Sequence, residues 1–240
     1  HFMYQHQSQN NANFNDVSSN SFKIKVVDFN QGESLKINNN AQLKGSKFGL
    51  NQFLLAVSIK EINELFREKN ITGDCWLPIP YDGRKRGGTG PIISNAISFL
   101  FYRIKDAEQK SVEAIVKEIQ SQMMDQLRQD VPRKYSLFLE MMKYIPEKLF
   151  SFLILRASAG NLASFLYSAS IEQARDVANT FELQAKKMFI IPPFSSPPGI
   201  TISFLTFNGQ LSLNLVYDEA LLNESELLAI IERLKIKLLA

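Results

Sequence analysis

The sequence predicts an α/β fold, a mixed β-sheet with helices packed on it. Two observations point there. Stretches of two-residue apolar alternation lie both early, at residues 22–29, and late, at 200–217, while stretches 48–69 and 224–239 repeat apolar residues at three- and four-residue spacing. These helical and strand patterns are interspersed without strict alternation, which favours a mixed sheet over a doubly wound parallel one. No internal repeat is present.

Residues 1–20 are rich in Gln, Asn and Ser and read as a polar lead-in or the junction of a cut; residues 21–240 carry the folded part. Residues 22–29 alternate as a half-buried strand, and the Asn-rich stretch 30–40 reads as turns. In 48–69, Leu50, Phe53, Leu54, Val57, Ile62, Leu65 and Phe66 share one helix face, with Ser46 as the cap and Asn70 and Gly73 as the stop. Residues 75–81 read as a strand, and Pro78 and Pro80 place it at an edge. A glycine-rich loop, 82–91, leads into a strand over 92–104, with Ile97, Phe99 and Phe101 on one side.

The spacing of Val112, Ile115, Val116, Ile119, Met123 and Leu127 predicts a helix over 107–128. A second helical region, 135–155, is divided by Pro146. Strands are expected at 161–168, 181–191, 200–207 and 210–217. Asn208-Gly209, between the last two, is the strongest hairpin signal in the chain. The closing helix, 224–239, is capped by Asn223 or Ser225.

Composition excludes several classes. With 45% apolar residues, 21% charged residues and a formal charge of +3, the chain is neither disordered nor a nucleic-acid binder. No apolar run is long enough to span a bilayer and no leader is visible, so the expected compartment is the cytoplasm, with peripheral contact to lipid as the variant. The one cysteine, Cys75, excludes an internal disulfide and a multi-cysteine metal site, and its apolar strand predicts a buried, inert thiol. The two histidines, His1 and His6, both lie in the polar lead-in, so the folded part holds no histidine base and no metal site is expected.

The nucleophile elbow, the dinucleotide fingerprint and the zinc-protease helix motif are all missing. Three features remain. Arg84, Lys85 and Arg86 form a basic cluster between glycines, which reads as a solvated loop tip or as an anion contact. Asn95 sits within an apolar strand, where its amide needs partners. Residues 197–211 place small hydroxylated side chains on one side and aliphatic or aromatic ones on the other, which fits a strand facing a polar layer or a simple cross-strand Ser/Thr pair.

Taken in order, these stretches resemble the C-terminal half of the chloramphenicol-acetyltransferase-like superfamily, above all the wax ester synthase/diacylglycerol acyltransferases and, more distantly, nonribosomal condensation domains. The likeness runs from about residue 35 to the end. Asn51-Gln52 stands where the family opens a helix with Asn-Asp. Leu77 to Arg84 matches its Val-Pro-Val-x-x-Arg strand, and Ser94-Asn95-Ala96-Ile97-Ser98 its Gly-Asn-x-x-Ser. The late hairpin and Asp218 match well, whereas the family's Ser-Asn-x-Pro-Gly strand end is lost in Phe165-Leu166-Tyr167-Ser168-Ala169-Ser170.

The resemblance implies one lobe of a two-lobed, CoA-dependent acyltransferase fold with a tunnel between the lobes. An acyl thioester, on CoA or a carrier protein, would be the co-substrate, and no covalently bound cofactor is expected. The family's general base is the second histidine of His-His-x-x-x-Asp-Gly in the N-terminal lobe. That motif does not occur in these residues, so the chain alone is expected to be inactive, with no catalytic residue of its own. Asn51, Arg84, Asn95, Ser168, Ser170 and Ser203 are the lobe-interface or tunnel candidates, and Arg84, Lys85 and Arg86 the anion contacts. The partners expected are an N-terminal lobe, a second copy or an acyl carrier protein. The alternative is a non-catalytic module that binds an acyl chain, a carrier protein or a protein partner; an unrelated α/β domain is the remaining reading.

Overall fold

The computed structural model describes residues 22–82, 97–149, 152, 163–170, 179–180 and 183–240. A four-stranded sheet has the order β1-β8-β7-β4, formed by β1 (Phe22–Asp28), β4 (Leu166–Ser170), β7 (Ile200–Phe207) and β8 (Gln210–Asp218). β8 pairs antiparallel with β1 and with β7, while β4 pairs parallel with β7. Asn208 and Gly209 turn the β7–β8 hairpin with φ of 49° and 76°, the two positive values that a type I′ turn requires.

One face of this sheet carries Val27, Tyr167, Ile202, Phe204, Leu213 and Leu215, all buried in a single core with the helices. Four helices enter that core: α1 (Gln31–Leu43), α2 (Leu50–Glu68), α3 (Val112–Arg128) and the C-terminal α5 (Glu224–Leu239). α1 corrects the expectation of turns. Asn30 accepts from the Glu33 amide at 2.9 Å and the Glu33 carboxylate accepts from the Asn30 amide at 2.8 Å, a capping box. Ser34, Ile37 and Ala41 bury one stripe, and Asn40 donates to the Leu238 carbonyl at 2.9 Å, so packing overrides the weak helix propensity of asparagine. In α2 the cap is Gly49 rather than Ser46, whose hydroxyl instead donates to the Gly49 carbonyl at 2.5 Å. Asn70, with φ 57°, and Gly73 end the helix as expected.

β2 (Cys75–Asp82) and β3 (Ile97–Ile104) form an antiparallel pair. The loop between them, and any strand before residue 97, lie outside the described residues. The free side of β3 is closed by the next helix, α3 (Val112–Arg128), which starts at its Ser111 cap, later than its apolar pattern suggests. Gln126 accepts from the Phe101 amide at 2.8 Å and donates to its carbonyl at 2.7 Å. One turn earlier, Gln122 binds Arg103 in the same way, at 2.9 and 2.7 Å. Two side-chain amides thus stand in for a neighbouring strand.

On its other side β2 meets the approach to β4. The Trp76 amide donates to Ser164 Oγ at 3.0 Å, and the Ser164 amide donates to the Trp76 carbonyl at 2.8 Å. At the next alternate positions, Pro78 and Pro80 have no N–H to extend this pairing.

α4 (Val131–Met142) begins earlier than expected, with Pro132 in the first turn, where its missing N–H is harmless, and ends before Pro146. Tyr135 packs edge-on against Phe99 and Phe101, with ring centroids 5.7 and 5.0 Å apart. Instead of a strand over 181–191, only a short ladder forms between β5 (Asn179–Thr180) and β6 (Leu183–Gln184), after which residues 185–195 run without regular structure. Pro192 and Pro193, which cannot donate to a ladder, lie in that run.

Candidate functional site

Side chains alternate across a strand, so the residues between the core positions point to the sheet face away from the helices. On β8 these are Ser212, Asn214, Val216 and Asp218; on β7 they are Thr201, Ser203 and Leu205. β4 adds Leu166, Ser168 and Ser170, and β1 adds Phe22, Ile24, Val26 and Asp28. The register aligns Ser168, Ser203, Asn214 and Val26 in one row across all four strands.

Ser203 is 1% exposed and Asn214 0%. Ser203 Oγ donates to the Asn214 main-chain carbonyl at 3.5 Å, a long contact. The side-chain oxygen and nitrogen of Asn214 are both buried without a hydrogen-bond partner.

Residues 185–199 form a strap along this face. Lys187 pairs with Asp28 at 2.5 Å, and Thr201 Oγ1 donates to the Pro193 carbonyl at 3.4 Å. Phe194 stacks on Phe22 with centroids 5.5 Å apart, and Ser196 Oγ donates to the Asp218 carboxylate at 2.9 Å. All four anchoring residues of the sheet belong to the face away from the helices. Asp28 lies opposite Ser212 and Phe22 opposite Asp218, so Asn214 sits between the two ends of the strap along β8.

Ser168, Ser170 and Ser203, chosen from sequence, are therefore brought together. Asn51 is not with them. It lies in the first turn of α2, on the helix side, where its Oδ1 accepts from the Tyr167 phenol at 2.7 Å. Burial raises the Tyr167 pKa well above the usual phenol value, and nearby Tyr102 adds to this. Arg84, Lys85, Arg86 and Asn95 lie outside the described residues, as do His1 and His6. Cys75 is buried, and burial pushes its thiol up to about 12, in keeping with an inert role.

Sequence reading missed Asn214. Its signal was a carboxamide at an alternate position of Leu-Ser-Leu-Asn-Leu-Val, opposite Ser203 across a hairpin whose turn was legible. Chemically, the row offers hydroxyls and a carboxamide, which bind and orient by hydrogen bonds and do not titrate near neutral pH. Among the described residues no group of three His, Cys, Asp or Glu side chains is placed to hold a metal, and no helix is long and apolar enough to cross a membrane.

No family model and no curated protein matches the sequence. Solved structures do match the fold. Trichothecene 15-O-acetyltransferase from Fusarium sporotrichioides aligns with a TM-score of 0.71 at 14% identity, over 91% of this chain and 46% of its own. The wax ester synthase/diacylglycerol acyltransferase from Marinobacter aquaeolei VT8 gives 0.59 at 10% identity, over 91% of this chain and 48% of its own. The condensation domain of the monacolin K polyketide synthase MokA gives 0.56 at 12% identity, over 91% and 46%. This chain thus spans about half the length of each. At such identities the likeness concerns architecture, and the architecture is that of one lobe of the chloramphenicol-acetyltransferase-like fold shared by these acyltransferases and condensation domains.

Proposed function

We propose that this chain is the C-terminal lobe of an acyltransferase that moves an acyl group from a CoA or carrier-protein thioester to an alcohol or amine. The observation that carries the reading is the coverage: nearly the whole chain aligns with about half of each acyltransferase or condensation domain. An N-terminal lobe supplies the histidine that deprotonates the acceptor for attack on the thioester carbonyl. This lobe contributes walls and hydrogen bonds, and Arg84, Lys85 and Arg86 meet the anionic part of the donor. The exposed apolar side chains Leu137, Met141 and Tyr144, at 51%, 71% and 89%, support a partner surface beside α4. The enzyme works in the cytoplasm, in contact with lipid at most peripherally.

The test is acyl-CoA turnover by the chain alone and after mixing with an N-terminal lobe that carries His-His-x-x-x-Asp-Gly. The expected result is no turnover alone and turnover when mixed. Activity of the chain alone that survives substitution of both His1 and His6 would sink the proposal. A second reading, a non-catalytic acyl-chain or carrier-protein binding module, is favoured by the candidate row itself, whose groups bind but do not exchange protons near neutral pH.

A further inference from the structure

β1 ends the four-stranded sheet, so one side of it has no strand beside it. The Phe29 amide donates to the Leu211 carbonyl at 2.9 Å, which makes that pair a hydrogen-bonded one. Alternation along the ladder then turns the main chain of Lys23, Lys25 and Val27 towards β8 and that of Phe22, Ile24, Val26 and Asp28 outwards. Among the described residues nothing bonds to these outward N–H and C=O groups. The strap reaches β1 through the Phe22 and Asp28 side chains and leaves its main chain open. Beside the open edge runs a groove of about 600 Å³. Its floor is the stretch Lys25 to Asp28, and its wall is Leu228, Ile231, Glu232 and Lys235, which share one face of α5. α5 thus stands over a strip of space that holds no strand, and Leu228, 49% exposed, borders that strip.

We propose that the edge of β1 is a docking site for an extended, acidic segment of a partner polypeptide, which adds to the sheet as a further strand beneath α5. Main-chain bonds to Ile24, Val26 and Asp28 supply affinity, and the alternate side chains of the incoming strand supply specificity. Of the charged groups in the groove, Asp28 is taken by Lys187. Lys25, Lys235 and Glu232 form no ion pair among the described residues, so two lysines stand against one glutamate and the groove favours an acid. The same lysines argue against a second copy of this chain. Antiparallel self-pairing centred on Ile24 sets Lys23 opposite Lys25, and centring on Lys25 sets the two Lys25 side chains opposite each other. Residues 1–20 hold a single acid, Asp16, and lack the required chemistry. The inference stands on the strand edge and is independent of the acyl-transfer reading.

The probe is the acetylated and amidated peptide Thr-Val-Thr-Glu-Val-Glu-Thr, which sets a glutamate opposite Lys25 and another opposite Lys23 in antiparallel addition. One control has lysine in place of both glutamates. The other is N-methylated at its third and fifth residues, whose N–H groups face the edge. Binding to the full 240-residue chain is measured by calorimetry, and amide exchange by NMR. The glutamate peptide is expected to bind about tenfold more tightly than the lysine peptide, and the N-methylated one not at all. The amides of Ile24, Val26 and Asp28 gain protection when the glutamate peptide binds. Val26→Pro removes an N–H that β8 does not use, so this variant melts close to wild type and loses the peptide. Lys25→Glu abolishes the preference for glutamate and decides the matter if Val26→Pro does not fold. No binding of the glutamate peptide, equal binding of the two charge forms, binding that survives N-methylation, or full binding by a folded Val26→Pro each overturns the proposal. Edge amides already protected without peptide also overturn it: protection lost on removing residues 1–20 assigns the edge to that segment, and protection that rises with protein concentration assigns it to a second copy.

Discussion

The Tyr167 phenol donates to Asn51 Oδ1 at 2.7 Å and so ties β4 to the first turn of α2, 116 residues away in sequence. Tyr167 is buried, whereas Asn51 is only half-buried. The two ends of the bond should therefore respond differently to removal. Tyr167→Phe loses one net hydrogen bond, about 1 kcal/mol, because water can reach Asn51. Asn51→Ala leaves the buried phenol only the main-chain carbonyl at position 51, a longer contact at 3.3 Å, and should cost more, about 1–3 kcal/mol. Urea unfolding of the two variants checks the order; equal losses would show that Asn51 reaches no water.

A second prediction concerns the α2–α5 contact. Glu61 is buried, with a side-chain exposure of 0%, and is held by Arg233 at 2.9 Å and by Lys237. Either cation alone keeps the carboxylate paired. Removing both, in Arg233→Ala with Lys237→Ala, leaves a buried charge uncompensated, at about 3–5 kcal/mol. The loss in the double variant should exceed the sum of the single losses, and a double-mutant cycle by denaturation measures the excess.

The edge of β3 gives a third. Gln126→Leu removes both partners of the Phe101 main chain and opens a strand edge. Stability should fall by about 1–3 kcal/mol, and aggregation on heating should increase. Gln122→Ala, at a half-buried position, should cost less. Light scattering during a melt separates the two effects.

Acid should weaken the fold in a defined window. Glu113 is held down to about 2, first by the hydrogen bond from Lys44 and then by bonds from its backbone. Glu226 is lowered mainly by the hydrogen bond from Lys69. Unfolded, both carboxyls return to about their ordinary value of 4.5, so below that pH the folded state binds fewer protons than the unfolded one. The Glu113 contribution is complete above 4.5 and is lost as the pH falls towards about 2, and that of Glu226 is lost in the same direction. Both groups are largely solvated, so the effect is modest. Lys44→Met should flatten the Glu113 part of a stability-versus-pH curve, read by urea midpoints from pH 2 to 6.

Cys75 supplies the last prediction. With its thiol buried and pushed up to about 12, little thiolate exists at pH 8. A thiol reagent should label it only through unfolding, at a rate that rises with denaturant. Fast labelling in native buffer would contradict the burial.

Much of the architecture follows from local chemistry, and the sequence by itself determined it. Asn208-Gly209 between two alternating runs specified the β7–β8 hairpin, because only positive φ at both positions matches the twist of the strands. The same alternation placed Ser203 away from the aliphatic face, and a cap at Asn223 or Ser225 marked the start of α5, where the structure uses Asn223 with Glu226. Composition already showed that residues 21–240 hold no histidine. Tertiary structure decided the rest. α1 forms from an Asn-rich stretch because Ile37 and Ala41 find a core and Asn40 finds the end of α5. Asn51 and the three serines fall on opposite faces of one sheet, since Tyr167 and Ser168, adjacent in the chain, point in opposite directions. The row through Asn214 exists only once β4, β7, β8 and β1 are in register. Periodicity and turn chemistry act over a few residues and can be read locally. The register between distant strands depends on which long-range packing is lowest in free energy, and no local pattern contains it.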